Sequence, residues 1–535
     1  MKVYQGNILT VDAKDSVAKY LVEDGGKIVF VGNELPPEYS ESLASGKAEL
    51  VDLCVGGKER ALVPSFCDTH QHFASFSLFN AGLNVMEATS NKEILSMIKD
   101  FVARSKDKLL IAFGASPYSV EEKRLVTREE LDSVCDDRPF FMVKYDGHAC
   151  IVNSALLKAV DEKVKPLRGY HPDTGEMNQE AFFAVSDFVT NSISIPTLIR
   201  DMQLAVDHEA SNGIGMVHTV SGVGFPMNLD INTEKWFAKS CQNGFQIRVF
   251  PQSMDPKVAT GRGLPRIGGC FKCALDGCFG SQDAAMNEAY ANNAENKGVL
   301  YYTDEQVIDF CKKANRLGLQ IEMHAIGDRA FDQATNALKA ALDDYPREDH
   351  RHGIIHCCLP TEAGMKICAD YKIQLPMQIA FDNWRQEPAE YTTELLGEER
   401  NSRLNPIKTF KDLGCTIGFG SDGPCTDPNP IVWLYKACNH SNPAESVSIQ
   451  DALRMSTYNG YFATFDEKER GSLEVGKIAD MVVLSENPYT CPKEDLMRIK
   501  VEKTILGGAE YKPQSQGLLS VAIKGIFGNG KYLCQ

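Results

Sequence analysis

The middle of the chain alternates short apolar runs with amphipathic stretches, and this pattern constrains the fold more than any other feature. The runs LLIAFG, FFMVKY, GMVHTV, QIRVFPQ, LQIEMHA, GIIHC and CTIGFGSD are separated by helix-patterned segments such as DEQVIDFCKKANRLG and DRAFDQATNALKAALDDY. Strand–helix alternation over roughly 400 residues favours a parallel α/β architecture, either a barrel or a doubly wound sheet. No G-x-G-x-x-G opens a helix after a first strand and no G-x-x-x-x-G-K-[ST] occurs, which removes the commonest nucleotide-binding forms.

The two ends read differently. KVYQGNILTVD, AKYLVEDGGKIVFVG and AELVDL are β-branched runs broken by turn signals, and the same texture returns at IADMVVLSENP and KVEKTILGGAEYK. Two β-rich ends around an α/β middle suggest one small sandwich assembled from both termini. The stretch from Gln514 to Gln535 is Gly-rich and carries no assigned role. A formal charge of −16 argues against a broad nucleic-acid surface, which needs clustered Lys and Arg. The N-terminal residues lack a signal peptide's apolar core, and no run approaches a membrane span. With 17 cysteines and no secretory signal, reduced thiols in a cytoplasm are expected, not a disulfide framework.

Chemistry concentrates where strand-like runs end. ALVPSFCDTHQHF closes on Asp68, His70 and His72, and residues two apart on a strand face the same side, so two imidazoles could converge on one cation. His324 ends LQIEMHA, His356 ends GIIH and Asp422 ends CTIGFGSD. Each is a ligand-capable group at the C-terminal end of a strand, the edge where barrel enzymes gather their catalytic residues. Lys272, in GGCFKCALDG, is either an ion-pair partner, a surface residue or an amine altered by carboxylation. Cys270 and Cys273 form a C-x-x-C without a second pair, which does not make a zinc ribbon.

These residues resemble the amidohydrolase superfamily, in the branch that includes N-substituted formamide deformylases. The likeness runs through GNILTVD, PSFCDTHQHF, YDGHACIVNSALL, CFKCALDGCFGSQDAAM, IEMHAIGDRAFDQA, GFGSDGPCTDPNP and the closing GSLEVGKIADMVVL. It implies a (β/α)8 TIM barrel over residues 63–465, with a composite β-sandwich built from residues 1–62 and 466–535. It also implies roles. His70 and His72 would bind a more buried metal, and His324 and His356 a more exposed one. Lys272 would bridge them as a carbamate, and Asp422 would ligate and shuttle a proton. His148 and Asp276 would sit by the substrate. Phe381 and Trp384, with Asn383, are candidates to line the pocket. The stretch DGCFGSQDAAM and the G-I-I-H before the second late histidine depart from the family pattern, which bears on substrate more than on metal.

The resemblance thus implies hydrolysis of a C–N bond in a linear or cyclic amide. Zinc is the expected metal, two per chain if Lys272 is carboxylated, with iron or manganese as alternatives. The other readings are a mononuclear deaminase on the same fold, a lyase or isomerase, and a non-enzymatic metal-binding member. A small-molecule substrate is expected, with neither nucleic acid nor membrane as partner; a homodimer is a family-level expectation only.

Overall fold

Turn signals and β-branched runs at the two ends of the chain meet in one sheet. In a computed structural model that describes residues 1–528, apart from 58, 223, 224, 226, 227 and 242, the early strands Lys2–Leu9, Val17–Asp24, Lys27–Gly32 and Glu49–Asp52 share an eight-stranded sheet with the late strands Met481–Leu484, Val501–Leu506 and Ala509–Glu510. The join is antiparallel: Met481–Leu484 pairs with Ala61–Pro64, the strand that leads directly into the site. Alternate residues of this sheet, among them Tyr4, Ile8, Leu21, Leu62, Met481 and Val483, form its own apolar core.

The alternating middle is α/β. We number its parallel strands β1 (Phe66–Gln71), β2 (Ile214–Ser221), β3 (Gln246–Pro251), β4 (Arg266–Ala274), β5 (Gln320–Ala325), β6 (Gly353–His356), β7 (Leu375–Met377) and β8 (Ile417–Phe419). Parallel pairing joins β1 to β2 and β2 to β3, β4 to β5 and β5 to β6, and β7 to β8. Single parallel bridges link Gly353 to Gln374 and Gln71 to Gly423, and β3 packs beside β4. These strands are buried along almost their whole length, as expected for strands covered on both faces. Their side chains share one large core with the flanking helices.

Two of the apolar runs read as part of this series belong elsewhere. Leu110–Ala115 and Phe140–Lys144 lie in a separate six-stranded mixed sheet with Leu83–Asn84, Ala149–Val152, Glu176–Asn178 and Tyr170–His171. That sheet has its own apolar clusters, inserted between β1 and β2. The tail carries a helix at Leu518–Phe527, packed on the helix Leu229–Ser240.

Candidate metal centre

The ends of β1 and β8 are laced together by backbone. Asp422 N donates to the His70 carbonyl at 2.8 Å, and His72 N donates to the Gly423 carbonyl at 2.9 Å. Beneath them the buried Asp68 carboxylate accepts from Ser421 N at 3.0 Å and from His70 N at 3.2 Å, so one side chain fixes both strand ends. The result aims Asp422 at the histidine pair: its Oδ1 lies 3.0 Å from His70 Nε2 and 3.3 Å from His72 Nε2. Burial alone would raise the Asp422 carboxyl, but these two imidazoles hold it well below the usual carboxylate range. Burial pushes His70 down as well, against the pull of Asp422.

β5 and β6 bring the other two histidines. His356 packs against His70 with ring centroids 5.4 Å apart, and His324 against His356 at 4.5 Å. His324 Nε2 donates to the Gly277 carbonyl at 3.1 Å and faces Asp276 Oδ1 at 3.4 Å. Burial would lower His324, yet Asp276 raises it overall, whereas burial and the neighbouring His324 depress His356 strongly. Asp276, expected beside the substrate, lies on the wall of the cavity above the cluster, and its buried carboxylate also accepts N–H bonds from Ala285 (2.9 Å), Ile326 (3.0 Å) and Gly327 (2.8 Å). Its work here is to hold the β5 exit and orient His324.

Lys272 is the clearest departure from expectation. Its ammonium donates to the Gly222 carbonyl and to Asn228 Oδ1 at 3.0 Å, not toward the histidines. The cause is local. Regular pairing of β4 with β5 stops at Gly269 and resumes at Ala274, and Phe271 sits at φ +43° inside the interruption. The alternation that would put residues 270, 272 and 274 on one face is broken there. Cys270 takes the inner position instead, with Sγ 3.2 Å from His70 Nε2 and 3.5 Å from His356 Nε2. Burial drives that thiol well above its ordinary range.

His70, Cys270, His356 and Asp422 are all buried, and their ligand atoms lie within 4.8 Å of one another. Asp422 Oδ1 is enclosed and completes no hydrogen bond of good geometry, although two imidazole nitrogens stand beside it. Imidazole, carboxylate and thiol are the donors that a borderline divalent cation takes, so these residues fit a metal ion.

Above the cluster opens a cavity of ≈ 600 Å³. Phe381 and Trp384 stand on its wall with rings 4.9 Å apart, and Phe271 packs edge-on to His72. His148 also lines it, its backbone N–H held by Asp146 Oδ1 at 3.1 Å. Asn383 is not on the wall. Sequence reasoning missed Glu387, a half-buried carboxyl whose desolvation pushes it up to about 7, and which accepts from Tyr145 at 3.2 Å on the same wall. Nothing in the local pattern QEPAE distinguishes it. His218, on β2, points away and bonds Thr464 at 3.2 Å.

The model of the amidohydrolase family matches residues 55–510. The chain belongs to the amidohydrolase family. Within it, the chain is 25% identical to an N-substituted formamide deformylase of Arthrobacter pascens, covering 95% of this chain and 97% of that one. It is also 25% identical to the protein LONG AFTER FAR-RED 3 of Arabidopsis thaliana, over 96% and 91% of the two chains. Among solved structures, an uncharacterized metal-dependent hydrolase from Pyrococcus furiosus superposes with a TM-score of 0.73 at 22% identity, covering 91% of this amidohydrolase and all of that chain. The zinc complex of an atrazine chlorohydrolase mutant from Arthrobacter aurescens matches with a TM-score of 0.54 at 14% identity, over 98% of this chain and 99% of that one. At such identities these structures speak to the fold.

Proposed function

We propose that this amidohydrolase is a metal-dependent hydrolase of C–N bonds in linear or cyclic amides, with N-substituted formamide-like compounds among its substrates. The observation that carries the reading is geometric: Asp422 Oδ1 stands 3.0 Å from His70 Nε2 and 3.3 Å from His72 Nε2, at the floor of a cavity with largely apolar walls. Similarity to a formamide deformylase over nearly the whole chain supports the substrate class.

His70, His72, His324, His356 and Asp422 would hold the metal, two ions if Lys272 is carboxylated, and the metal would supply Lewis acidity toward a carbonyl and toward water. Asp422 Oδ1 accepts the proton of the attacking water and returns it to the leaving nitrogen, serving first as base and then as acid. His148, anchored through Asp146, donates to the developing oxyanion. Phe381 and Trp384 take the apolar substituent of the substrate and keep bulk water from the reacting bond.

The accompanying fold reading is a (β/α)8 barrel formed by β1–β8 within residues 63–465, flanked by a sandwich of residues 1–62 and 466–535. The parallel series β1 to β8 and its return through the Gln71–Gly423 bridge support it. A cytoplasmic setting is part of the same proposal and rests on the thiol-rich composition. A second reading, a one-cation deaminase-like hydrolase, draws support from Lys272, whose amine is engaged away from the histidines.

Elemental analysis of the wild type and of Lys272→Ala, combined with product analysis on N-acyl and cyclic amides, tests the scheme. Metal-dependent release of amine and acid, abolished by chelation and by Asp422→Asn, is the expected result. Ammonia release from an amino-heterocycle alone would favour the deaminase. A chain that retains no metal would remove both readings.

A further inference from the structure

We infer that Cys270 is a thiolate ligand of this metal centre, and that it gives the site a preference for borderline and soft cations, zinc or cadmium ahead of manganese or magnesium. The inference rests on the metal-centre reading above and adds a donor that the expected histidine, lysine and aspartate set does not contain.

The distances carry the argument. Around a tetrahedral zinc-sized ion, with bonds of ~2.3 Å to sulfur and ~2.0–2.1 Å to nitrogen or oxygen, neighbouring donors stand roughly 3.3–3.6 Å apart. Here Cys270 Sγ is 3.2 Å from His70 Nε2 and 3.5 Å from His356 Nε2, and His70 Nε2 is 3.0 Å from Asp422 Oδ1. Three of the six donor–donor distances among these side chains from β1, β4, β6 and the β8 exit are thus already close to the edges of one coordination polyhedron, and all six lie within 4.8 Å.

Protons alone serve this cluster badly. A single S–H can be given to only one of the two facing nitrogens, and the enclosed Asp422 Oδ1 completes no hydrogen bond of good geometry with either imidazole beside it. A cation satisfies all four lone pairs together, the thiol releasing its proton to solvent as the sulfur–metal bond forms.

Lys272 does not compete for the position. Its ammonium would have to leave both the Gly222 carbonyl and Asn228 before it could be carboxylated and swing inward. The interruption in β4 that turns Lys272 out is also what turns Cys270 in. Sulfur among the ligands shifts selectivity, because thiolate favours softer cations whereas carboxylate and water suit magnesium and manganese.

The test uses the full-length chain, stripped with a chelator and titrated with cobalt(II) alone while the absorption spectrum is recorded. Expected is a near-ultraviolet sulfur-to-cobalt charge-transfer band in the wild type. It should be lost in Cys270→Ser and Cys270→Ala, which keep the visible cobalt bands, and retained in Lys272→Ala. Competition between cadmium and manganese should show the wild-type preference for cadmium reduced by about tenfold or more in Cys270→Ser, since even indirect partners of a metal site count on that scale. The wild-type spectrum decides even where a variant fails to fold: bound cobalt with visible bands and no charge-transfer band overturns the inference. So does a charge-transfer band that persists in both Cys270 variants. Failure of the wild type to bind cobalt at all would instead remove the metal centre itself, a separate and recognisable result.

Discussion

Glu234 offers a prediction that the structure allows to be worked through. It lies on the helix Leu229–Ser240, fully buried, with Oε1 accepting from Ala74 N at 3.1 Å and Oε2 accepting from the hydroxyls of Thr219 (3.0 Å) and Ser221. Burial, reinforced by the neighbouring Asp230, raises its pKa from 4.5 to about 8. A carboxyl whose folded-state pKa exceeds its unfolded value binds more protons folded than unfolded between the two. Stability is therefore fully present below the unfolded pKa and falls as pH rises through that window. At ~1.36 kcal/mol per pH unit, raising the pH from 5 to 9 removes roughly 4 kcal/mol, an upper bound because water admitted on ionisation softens the penalty.

Glu234→Gln copies the shape and hydrogen bonding of the protonated acid but cannot ionise. Its amide oxygen can keep the Ala74 bond while its NH₂ donates to the two hydroxyls. Urea unfolding of both proteins, followed by tryptophan fluorescence at pH 5, 7 and 9, isolates this one group, because every other titration cancels in the difference. Near-equal stability at pH 5 and a variant more stable by about 4 kcal/mol at pH 9 is the expected outcome. A difference that stays constant across the range, or that grows in favour of the wild type, would show that Glu234 is ionised in the folded protein and refute the reasoning.

Three further outcomes follow from the same geometry. Asp276→Asn sets an N–H against one of the three backbone N–H groups that the carboxylate accepts, and should cost about 2–4 kcal/mol. For a chain this long that is a midpoint drop of roughly 2–4 °C in calorimetry, and an unchanged midpoint would deny Asp276 its structural role. Gly268→Ala, at φ +128°, would bring a Cβ to 1.8 Å from the Glu322 carbonyl oxygen, so β4 could not keep its pairing with β5. Soluble yield should collapse or stability fall by more than about 4 kcal/mol, and a variant with wild-type stability would mean that this backbone approach is looser than described. Trp384→Ala removes a ring packed on Phe381 and Tyr145. On an amide that the wild type hydrolyses, KM should rise about tenfold or more with a smaller change in kcat, and an unchanged KM would take Trp384 out of the binding wall.

How far the sequence could be read depends on whether local pattern or distant packing sets each feature. His70, His72, His324, His356 and Asp422 were legible because each ends an apolar run, and strand ends on one edge must lie near one another once the strands are parallel. The runs at 110–115 and 140–144 look the same in sequence but sit in another sheet, since periodicity reports a strand and not its partners. Asp276 was visible as an acid near the site, yet its role is set by N–H groups of residues 285, 326 and 327 that no local window contains.

The outward turn of Lys272 and the inward turn of Cys270 have the same origin. Alternation along β4 presumes regular backbone, and Phe271 at φ +43° breaks it in a conformation that a bulky side chain resists. The other site elements behave alike: His356, Cys357 and Asp422 lie at φ +74°, +50° and +54°. Each such residue costs on the order of 1–3 kcal/mol and persists only where surrounding contacts over-determine it. At Asp422 the contacts are visible: its own N–H is held by His70, and the N–H of Ser421 before it by Asp68. Local preference opposes the arrangement at four positions around one cluster of donors, so what fixes the site is the meeting of β1, β4, β6 and β8. A composition-based reading can name the residues at those strand ends, but which of them turn inward is decided only when the strands come together.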